Sequence, residues 1–237
     1  MHVTWHGHAC YSIETRQGKR ILVDPFLTGG PSRRGPADFR PDAVLLTHGH
    51  GDHTGDVLSF PDAHLVTNWE IGAWALARGM KRVTRMNVGG FAKPLDGVRV
   101  WMAPATHSSG LDASPLPDGT LGYGGGACGF VVDDGETRLY VAGDTGLFGD
   151  MRTVIRDVMQ PHAALLPIGD LFTMGPEHAA IAAEWLGVDV ASPCHYDSFP
   201  PIRQDPQEFA RRVGARAKVV VPRVDEGFDL DEGRLRG

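Results

Sequence analysis

Short apolar runs recur along the first two thirds of the chain and predict β-strands. The runs are "CYSIET", "RILVD", "AVLLT", "HLVT", "VRVWMA", "CGFVVDD" and "RLYVAGD". Valine, isoleucine and aromatic residues are common in them, as in strands that pack against a core. Their number and spacing predict a domain rich in β-sheet.

Three segments carry the boundary residues of α-helices. "NWEIGAWALARG" begins at Asn68, "GPEHAAIAAEWLG" has Pro176 in its first turn and Gly187 after its last, and "DPQEFARRVG" begins at Asp205. The strand-like runs "ALLP" and "KVVVP" alternate with the last two. This order predicts an α/β fold, with two packed sheets, helices outside them, and one domain over residues 1–237.

Two long stretches rich in glycine and proline separate these elements, "TGGPSRRGPADFRP" and "SSGLDASPLPDGTLGYGGG". Long loops in a compact domain are often functional. The first contains Arg33 and Arg34, which could attract an anionic substrate, although a solvated loop is the favoured explanation. "GGGACG" matches a dinucleotide-binding pattern, but it leads into a strand instead of a helix and is therefore interpreted as accidental.

Composition and charge narrow the class of protein. The 237 residues carry a net charge of −6 without a run of like charges, which argues against nucleic acid or an anionic membrane as partners. The N-terminus lacks the pattern of a secretory signal, and no apolar segment is long enough to span a bilayer. The three cysteines are odd in number and widely spaced, which is typical of a protein in a reducing compartment, where disulfides are rare. We therefore expect a cytoplasmic protein; a homo-oligomer stays open.

The densest chemistry lies in "LLTHGHGDHTGD", where His48, His50 and His53 surround Asp52 directly after an apolar run. Imidazole and carboxylate groups are ligands of zinc and related metals. Closed structural zinc sites usually use cysteine, which is absent from this stretch. The pattern therefore predicts an open metal site of the catalytic kind.

The run "HGHGDH" resembles the signature of the metallo-β-lactamase superfamily. That family's pattern continues with a separate histidine, an aspartate at a strand end and a final histidine. Those positions are filled here by His107 in "APATHSSG", Asp144 in "LYVAGDTG" and His195 in "ASPCHYDSF". The resemblance extends to about residue 200 and implies an αββα four-layer sandwich.

The resemblance also implies two adjacent sites for divalent metal ions, zinc or manganese. It assigns the first metal to His48, His50 and His107, the second to Asp52, His53 and His195, and the bridging position to Asp144. A hydroxide bound by both metals would then attack the substrate.

Four further stretches, "WHGHACYSI", "ILVDPFL", "GDLFTMGPEHAA" and "PCHYDSFP", are similar to one branch of that superfamily. The branch contains metal-dependent hydrolases related to ascorbate-phosphate lactonases and N-acylphosphatidylethanolamine phospholipase D-like proteins. It implies a small-molecule ester, lactone or phosphodiester as substrate.

Three alternatives to this hydrolase remain. A nuclease of the tRNA-processing type is disfavoured because the chain has a net negative charge. In a di-iron redox protein a carboxylate commonly replaces the histidine that stands here at His50. A non-enzymatic metal-binding scaffold should lack a ligand, and the sequence has all seven.

Residues outside the seven ligands complete the predicted site. Asp24 ends "RILVD" before a proline. The resemblance makes it a hydrogen-bond acceptor that orients the metal loop, which is the "HGHGDH" run at residues 48–53; an ordinary turn aspartate is the alternative.

Asp52 and His8 are the catalytic candidates. If a strand continues past Gly7, His6 and His8 share a face, and His8 could bind substrate or transfer a proton; a structural histidine is the alternative. Cys194 has no base assigned to it and is not expected to be a nucleophile.

Overall fold

The computed structural model describes residues 1–111 and 119–236, which contain two large β-sheets. The strands, in chain order, are β1 (His2–Trp5), β2 (Tyr11–Glu14), β3 (Arg20–Val23), β4 (Ala43–Leu45), β5 (His64–Asn68), β6 (Arg82–Met86), β7 (Phe91–Leu95), β8 (Val98–Pro104), β9 (Gly110–Leu111), β10 (Gly122–Tyr123), β11 (Cys128–Asp133), β12 (Arg138–Val141), β13 (Ala163–Pro167), β14 (Val190–Cys194), β15 (Lys218–Val219), β16 (Glu226–Asp231) and β17 (Arg234–Leu235).

The first sheet has the order β17-β16-β1-β2-β3-β4-β5-β6, with β3 to β6 parallel. The second has the order β15-β14-β13-β12-β11-β8-β7, with β12 to β15 parallel. Strands β8 and β12 each pair antiparallel with β11, so they run in the same direction. Strands β9 and β10 form a separate small hairpin.

The helices are α1 (Gly51–Thr54), α2 (Trp69–Leu76), α3 (Pro176–Leu186) and α4 (Pro206–Val213), with a π-helix at Met151–Met159. Short 3₁₀ turns occupy Pro36–Asp38, Val57–Ser59 and Pro200–Ile202. The predicted caps form: Asn68 accepts a hydrogen bond from Ile71 N, and Asp205 accepts one from Gln207 N. Gly187 ends α3 at a φ of 65°, the left-handed conformation that glycine tolerates.

Alternation along the strands separates two cores. In β3, Ile21 and Val23 face the core between the sheets, whereas Leu22 joins an outer cluster with Ile71 and Trp74 of α2. On the other side, α3, α4 and the π-helix cover the second sheet. The layers are therefore helix, sheet, sheet and helix, which confirms the predicted αββα fold.

Several elements were not predicted, although two had a detectable signal. The buried residues of the π-helix, Met151, Ile155 and Met159, recur at every fourth position, as on one face of a helix. In β16, Phe228 and Leu230 alternate with polar residues. No helix among residues 1–111 and 119–236 is both long and apolar enough to cross a membrane.

The predicted site residues follow strand ends on one edge of the sandwich. Asp24 follows β3, the "HGHGDH" run follows β4, His107 follows β8, Asp144 follows β12 and His195 follows β14. Because these strands point the same way within their sheets, residues far apart in sequence meet at this edge.

Candidate metal centre

The metal loop turns sharply between β4 and α1. His53 N and Thr54 N both donate to His50 O, so a helical turn begins directly after His50 and carries His53 back under the loop. A Cβ on Gly49 would lie 2.7 Å from Gly110 O, so only glycine fits there. The glycine is therefore needed for close backbone approach.

Two sets of side chains converge at this edge, and in each set the possible ligand atoms lie within 4.8 Å of one another. The first set contains His48, His50 and His107, and the second contains His8, Asp52, His53 and His195. In the first, His48 Nε2 and His50 Nδ1 are 3.0 Å apart. The structure thus brings together each predicted trio, and it adds His8 to the second.

Asp144 lies between the two sets. Its Oδ2 atom is 2.9 Å from His195 Nε2, 3.5 Å from His53 Nε2 and 3.7 Å from His107 Nε2. Gly143 makes this approach possible: it has a φ of 62°, and a Cβ there would lie 2.9 Å from the Thr47 side chain. This position suits the bridging role predicted for Asp144, which stays a prediction.

The side chains present fit divalent metal ions. His53 Nε2, Asp144 Oδ1 and both ring nitrogens of His195 are buried without a hydrogen-bond partner; His195 Nε2 faces Asp144 Oδ2 without the alignment of a hydrogen bond. Buried polar atoms are nearly always partnered. Unpartnered imidazole and carboxylate atoms that face one another are the donors that zinc and manganese use.

Charges in the site also favour a cation. Burial opposes the charged form of Asp144, but His195 and His53 hold the pKa of its carboxyl well below its usual range. Burial also lowers the pKa of His48, so its ring is neutral and can bind metal. For His53 the effect of burial is outweighed by Asp144 and Asp24, which raise its pKa. These shifts in pKa show that the buried carboxylate of Asp144 favours positive charge beside it, from an imidazolium or a bound cation.

Asp24 is fully buried and contacts the metal loop at three points. Its Oδ1 accepts from Thr47 N at 2.8 Å, and its Oδ2 accepts from Thr47 Oγ1 at 2.7 Å and from His53 Nδ1 at 2.8 Å. Since Asp24 holds the proton of His53 on Nδ1, it leaves Nε2 free to face Asp144. This is the contact that the predicted orienting role requires.

We expect Asp24→Asn to weaken metal affinity or activity by roughly 10- to 100-fold, because the amide group cannot accept from all three donors. Its oxygen would stay on Thr47 N, and its NH₂ would then face His53 Nδ1. That arrangement favours the proton on Nε2, the nitrogen directed at the metal site. Titration of the metal-free protein with zinc would measure the change.

Asp134→Asn is the matched control for Asp24→Asn. Asp134 is also buried, and its carboxylate accepts from the backbone of Arg16 and Thr137 in the β11–β12 hairpin region. This control should lose stability but keep its metal affinity. Equal metal affinity in Asp24→Asn and the wild type would show that Asp24 does not orient the metal loop and is an ordinary turn residue.

His8 faces the second set, and His6 points elsewhere. Strand β1 ends at Trp5, and His8 has a φ of 53°, so the strand does not continue past Gly7 and the two histidines do not share a face. His6 bonds to Asp225 Oδ1 at 2.8 Å and to Ser12 Oγ at 2.9 Å, so it is a structural histidine.

His8 is buried and forms a directed pair with Asp52. Burial lowers the pKa of His8 to about 4, so its ring is neutral at pH 7. Its Nε2 then donates to Asp52 Oδ2 at 3.1 Å, and its Nδ1 accepts from Ser198 Oγ at 3.0 Å. The catalytic roles proposed for His8 and Asp52 stay predictions.

Two supporting residues were not found from the sequence. Thr47 binds Asp24 and lies 3.0 Å from His48 Nδ1 through its hydroxyl, and its position directly before His48 is the only sequence signal. Asp56 accepts from Leu27 N and from both Thr28 N and Thr28 Oγ1, and so fixes the chain that follows Asp24.

Cys194 precedes His195 but is buried at the end of β14. Burial raises the pKa of its thiol well above the usual range, so it is protonated and unreactive at neutral pH. All three cysteines are free and buried.

Comparisons with known proteins agree with this geometry. A family model for the beta-lactamase superfamily domain matches residues 19–196. A UPF0173 metal-dependent hydrolase from Methanopyrus kandleri is 43% identical over 236 residues, covering 97% of this chain and 100% of its own. The chain belongs to the metallo-β-lactamase superfamily. A second UPF0173 metal-dependent hydrolase, from Geobacillus thermodenitrificans, is 44% identical over 213 residues, covering 88% of this chain and 91% of its own.

Solved structures of other proteins show the same architecture. Igni18, a metallo hydrolase from the archaeon Ignicoccus hospitalis, has a TM-score of 0.83 and 35% identity, covering 97% of this chain and 99% of its own. An isothiocyanate hydrolase from Delia radicum gut bacteria has a TM-score of 0.75 at 22% identity, covering 98% and 100%, and supports the fold alone. The predicted superfamily and the class of metal-dependent hydrolase are confirmed; the narrower branch stays a prediction.

Proposed function

We propose that this metal-dependent hydrolase cleaves an ester, lactone or phosphodiester of a small molecule, with water activated at a pair of divalent metal ions. The observation that carries the proposal is the position of Asp144 between two sets of metal-binding side chains. When bound, the two ions would lower the pKa of a shared water toward 7 and polarise the bond to be cleaved.

The chain's own residues would hold the two ions at a fixed separation. His48, His50 and His107 would bind one ion, and Asp52, His53 and His195 the other. Asp24 keeps His53 in the required tautomer, and Thr47 holds both Asp24 and the metal loop. Because these supports are buried, the ligands are oriented before substrate arrives.

Asp52 and His8 are the groups that we propose to deliver a proton to the leaving oxygen. The Asp52 side chain is 29% exposed, so it can reach a substrate, and its Oδ2 is hydrogen-bonded to His8 Nε2. The hydrogen bond from His8 and the charge of His53 outweigh the effect of burial and lower the pKa of Asp52. Asp52 is thus ionised at neutral pH, in the form that accepts the hydrogen bond from His8.

The test is a screen of the zinc- and manganese-loaded protein on esters, lactones and phosphodiesters, followed by a pH profile with any substrate found. We expect turnover in at least one class and a rate that rises with pH near 7, because the activated water ionises there. A metal-replete protein that hydrolyses none of the three classes would refute the proposal.

A further inference from the structure

The loop at residues 168–174 is anchored at both ends next to predicted metal ligands and carries two exposed apolar side chains. Its first residue, Ile168, donates from N to Cys194 O at 3.0 Å, and its last, Met174, donates from N to Thr145 O at 2.9 Å. Cys194 and Thr145, which accept these two hydrogen bonds, are the residues next to His195 and Asp144 in the chain. The tip between them carries Leu171 and Phe172, which are 70% and 55% exposed.

Aromatic side chains lie over the opposite side of the centre. The rings of Phe199 and Phe26 are 5.4 Å and 5.6 Å from the ring of His8, and they are 6.2 Å from each other. Phe26 follows Asp24 by two positions, and Phe199 follows His195 by four. Both are therefore held beside the metal-binding side chains by the same turns.

A third apolar edge comes from the small hairpin of β9 and β10. Ser109 Oγ accepts from Gly49 N at 3.1 Å, which ties the hairpin to the metal loop. Leu121 and Tyr123, in and beside β10, are each more than half exposed. Exposed apolar side chains thus come from three separate segments around one site, which is characteristic of a ligand-binding surface.

Basic side chains are missing from the segments that carry the site. Within the described part of the chain, residues 6–10, 24–32, 46–57, 105–111, 119–127, 142–150, 168–175 and 194–202 contain no lysine or arginine. Arg34, considered above as an anion-binding residue, lies instead over the ring of Phe39 at 4.2 Å and donates to Asp38 O. A phosphate or carboxylate on the substrate would therefore meet no lysine or arginine from these segments.

We infer that the substrate is a carboxylic ester or lactone with an apolar chain or ring beside the bond that is cleaved, and that Leu171 and Phe172 contact this apolar group. The inference rests on the proposed function and narrows its substrate class. Apolar side chains on three segments favour a substrate with an apolar group away from the cleaved bond, because burying that group against them is favourable. The lack of basic residues disfavours sugar phosphates and other substrates with additional negative charge.

Two measurements on the zinc-loaded full chain test the inference. The first compares kcat/KM for p-nitrophenyl acetate and p-nitrophenyl hexanoate, which share a leaving group. The second compares by calorimetry the Kd values of methylphosphonate and hexylphosphonate, which need no turnover. We expect the longer chain to be favoured about tenfold or more in both, because each buried methylene contributes severalfold.

Phe172→Ala and Leu171→Ala should each reduce that preference severalfold, through weaker binding of the hexanoate and hexylphosphonate chains. Val158→Ala is the matched control, since Val158 is 61% exposed on the π-helix and makes no contact in this argument. The size of each protein in solution is measured in parallel by light scattering.

The outcomes separate the inference from the proposed function. A chain-length preference in phosphonate binding without turnover of any ester refutes the hydrolase proposal for esters and leaves the apolar surface in place. Ester turnover with a preference that Phe172→Ala and Leu171→Ala leave unchanged overturns the inference. If these variants instead dissociate an oligomer and leave the preference unchanged, the apolar side chains form an interface between two copies, and the inference is also wrong.

Discussion

Asp144→Ala is expected to abolish nearly all hydrolysis, by about a thousandfold or more, while both sheets still form. Asp144 is the only carboxylate that lies within 4 Å of ring nitrogens from His53, His107 and His195 among the described residues. Its loss would leave these nitrogens without a shared partner. Turnover of a substrate from the screen and the circular dichroism spectrum would separate lost chemistry from lost folding.

Cys194→Ser is the matched control for that experiment. Cys194 lies one residue from His195, and its thiol is buried and protonated, so its replacement should leave most activity intact. An inactive Cys194→Ser protein that still holds its metals, or a covalent acyl-enzyme trapped at Cys194, would show that the cysteine is the nucleophile instead of an activated water.

The His48→Ala and His53→Ala proteins should each lose at least one of the two metal ions expected in the wild type. Each change removes one buried imidazole donor, and the predicted assignment places His48 and His53 on different ions, although the two rings also form a third possible metal-binding group with Asp144. Elemental analysis after dialysis against metal-free buffer would give the occupancy. Zinc should also raise the Tm of the wild type more than that of either variant, because a ligand that binds only the folded state stabilises it.

His178→Ala provides the comparison for both variants. His178 is exposed in the first turn of α3, outside the metal-binding sets, so its removal should change neither occupancy nor the zinc-dependent shift in Tm. Full occupancy in both His48→Ala and His53→Ala would remove the basis for the two-metal assignment.

The strands, the helix ends and the metal loop could be predicted because their signals are local. Asn68, Asp205 and Gly187 act on backbone groups a few residues away, and the cap contacts follow from chain geometry alone. His48, His50 and His53 lie within six residues of one another. Their side chains can therefore converge without a contact to a distant part of the chain. The three predicted ligands outside the metal loop, His107, Asp144 and His195, are far away in sequence. They could be assigned only from the resemblance to the superfamily.

The surroundings of the ligands depend on contacts that no local pattern encodes. His8 meets Asp52 across 44 residues and Ser198 across 190, after a left-handed turn that a continuous strand would not contain. The loop that carries Leu171 and Phe172 is tied to Cys194 and Thr145, the neighbours of His195 and Asp144, by backbone hydrogen bonds between residues distant in sequence.

The sequence by itself thus determined which groups can bind metal and in what order they occur. Only the tertiary structure decided which nitrogen of His53 faces Asp144, where His6 and His8 diverge, and which side chains surround the predicted ligands. The physical reason is that ligand chemistry belongs to single residues, whereas tautomer, burial and exposure depend on neighbours brought together by sheet pairing.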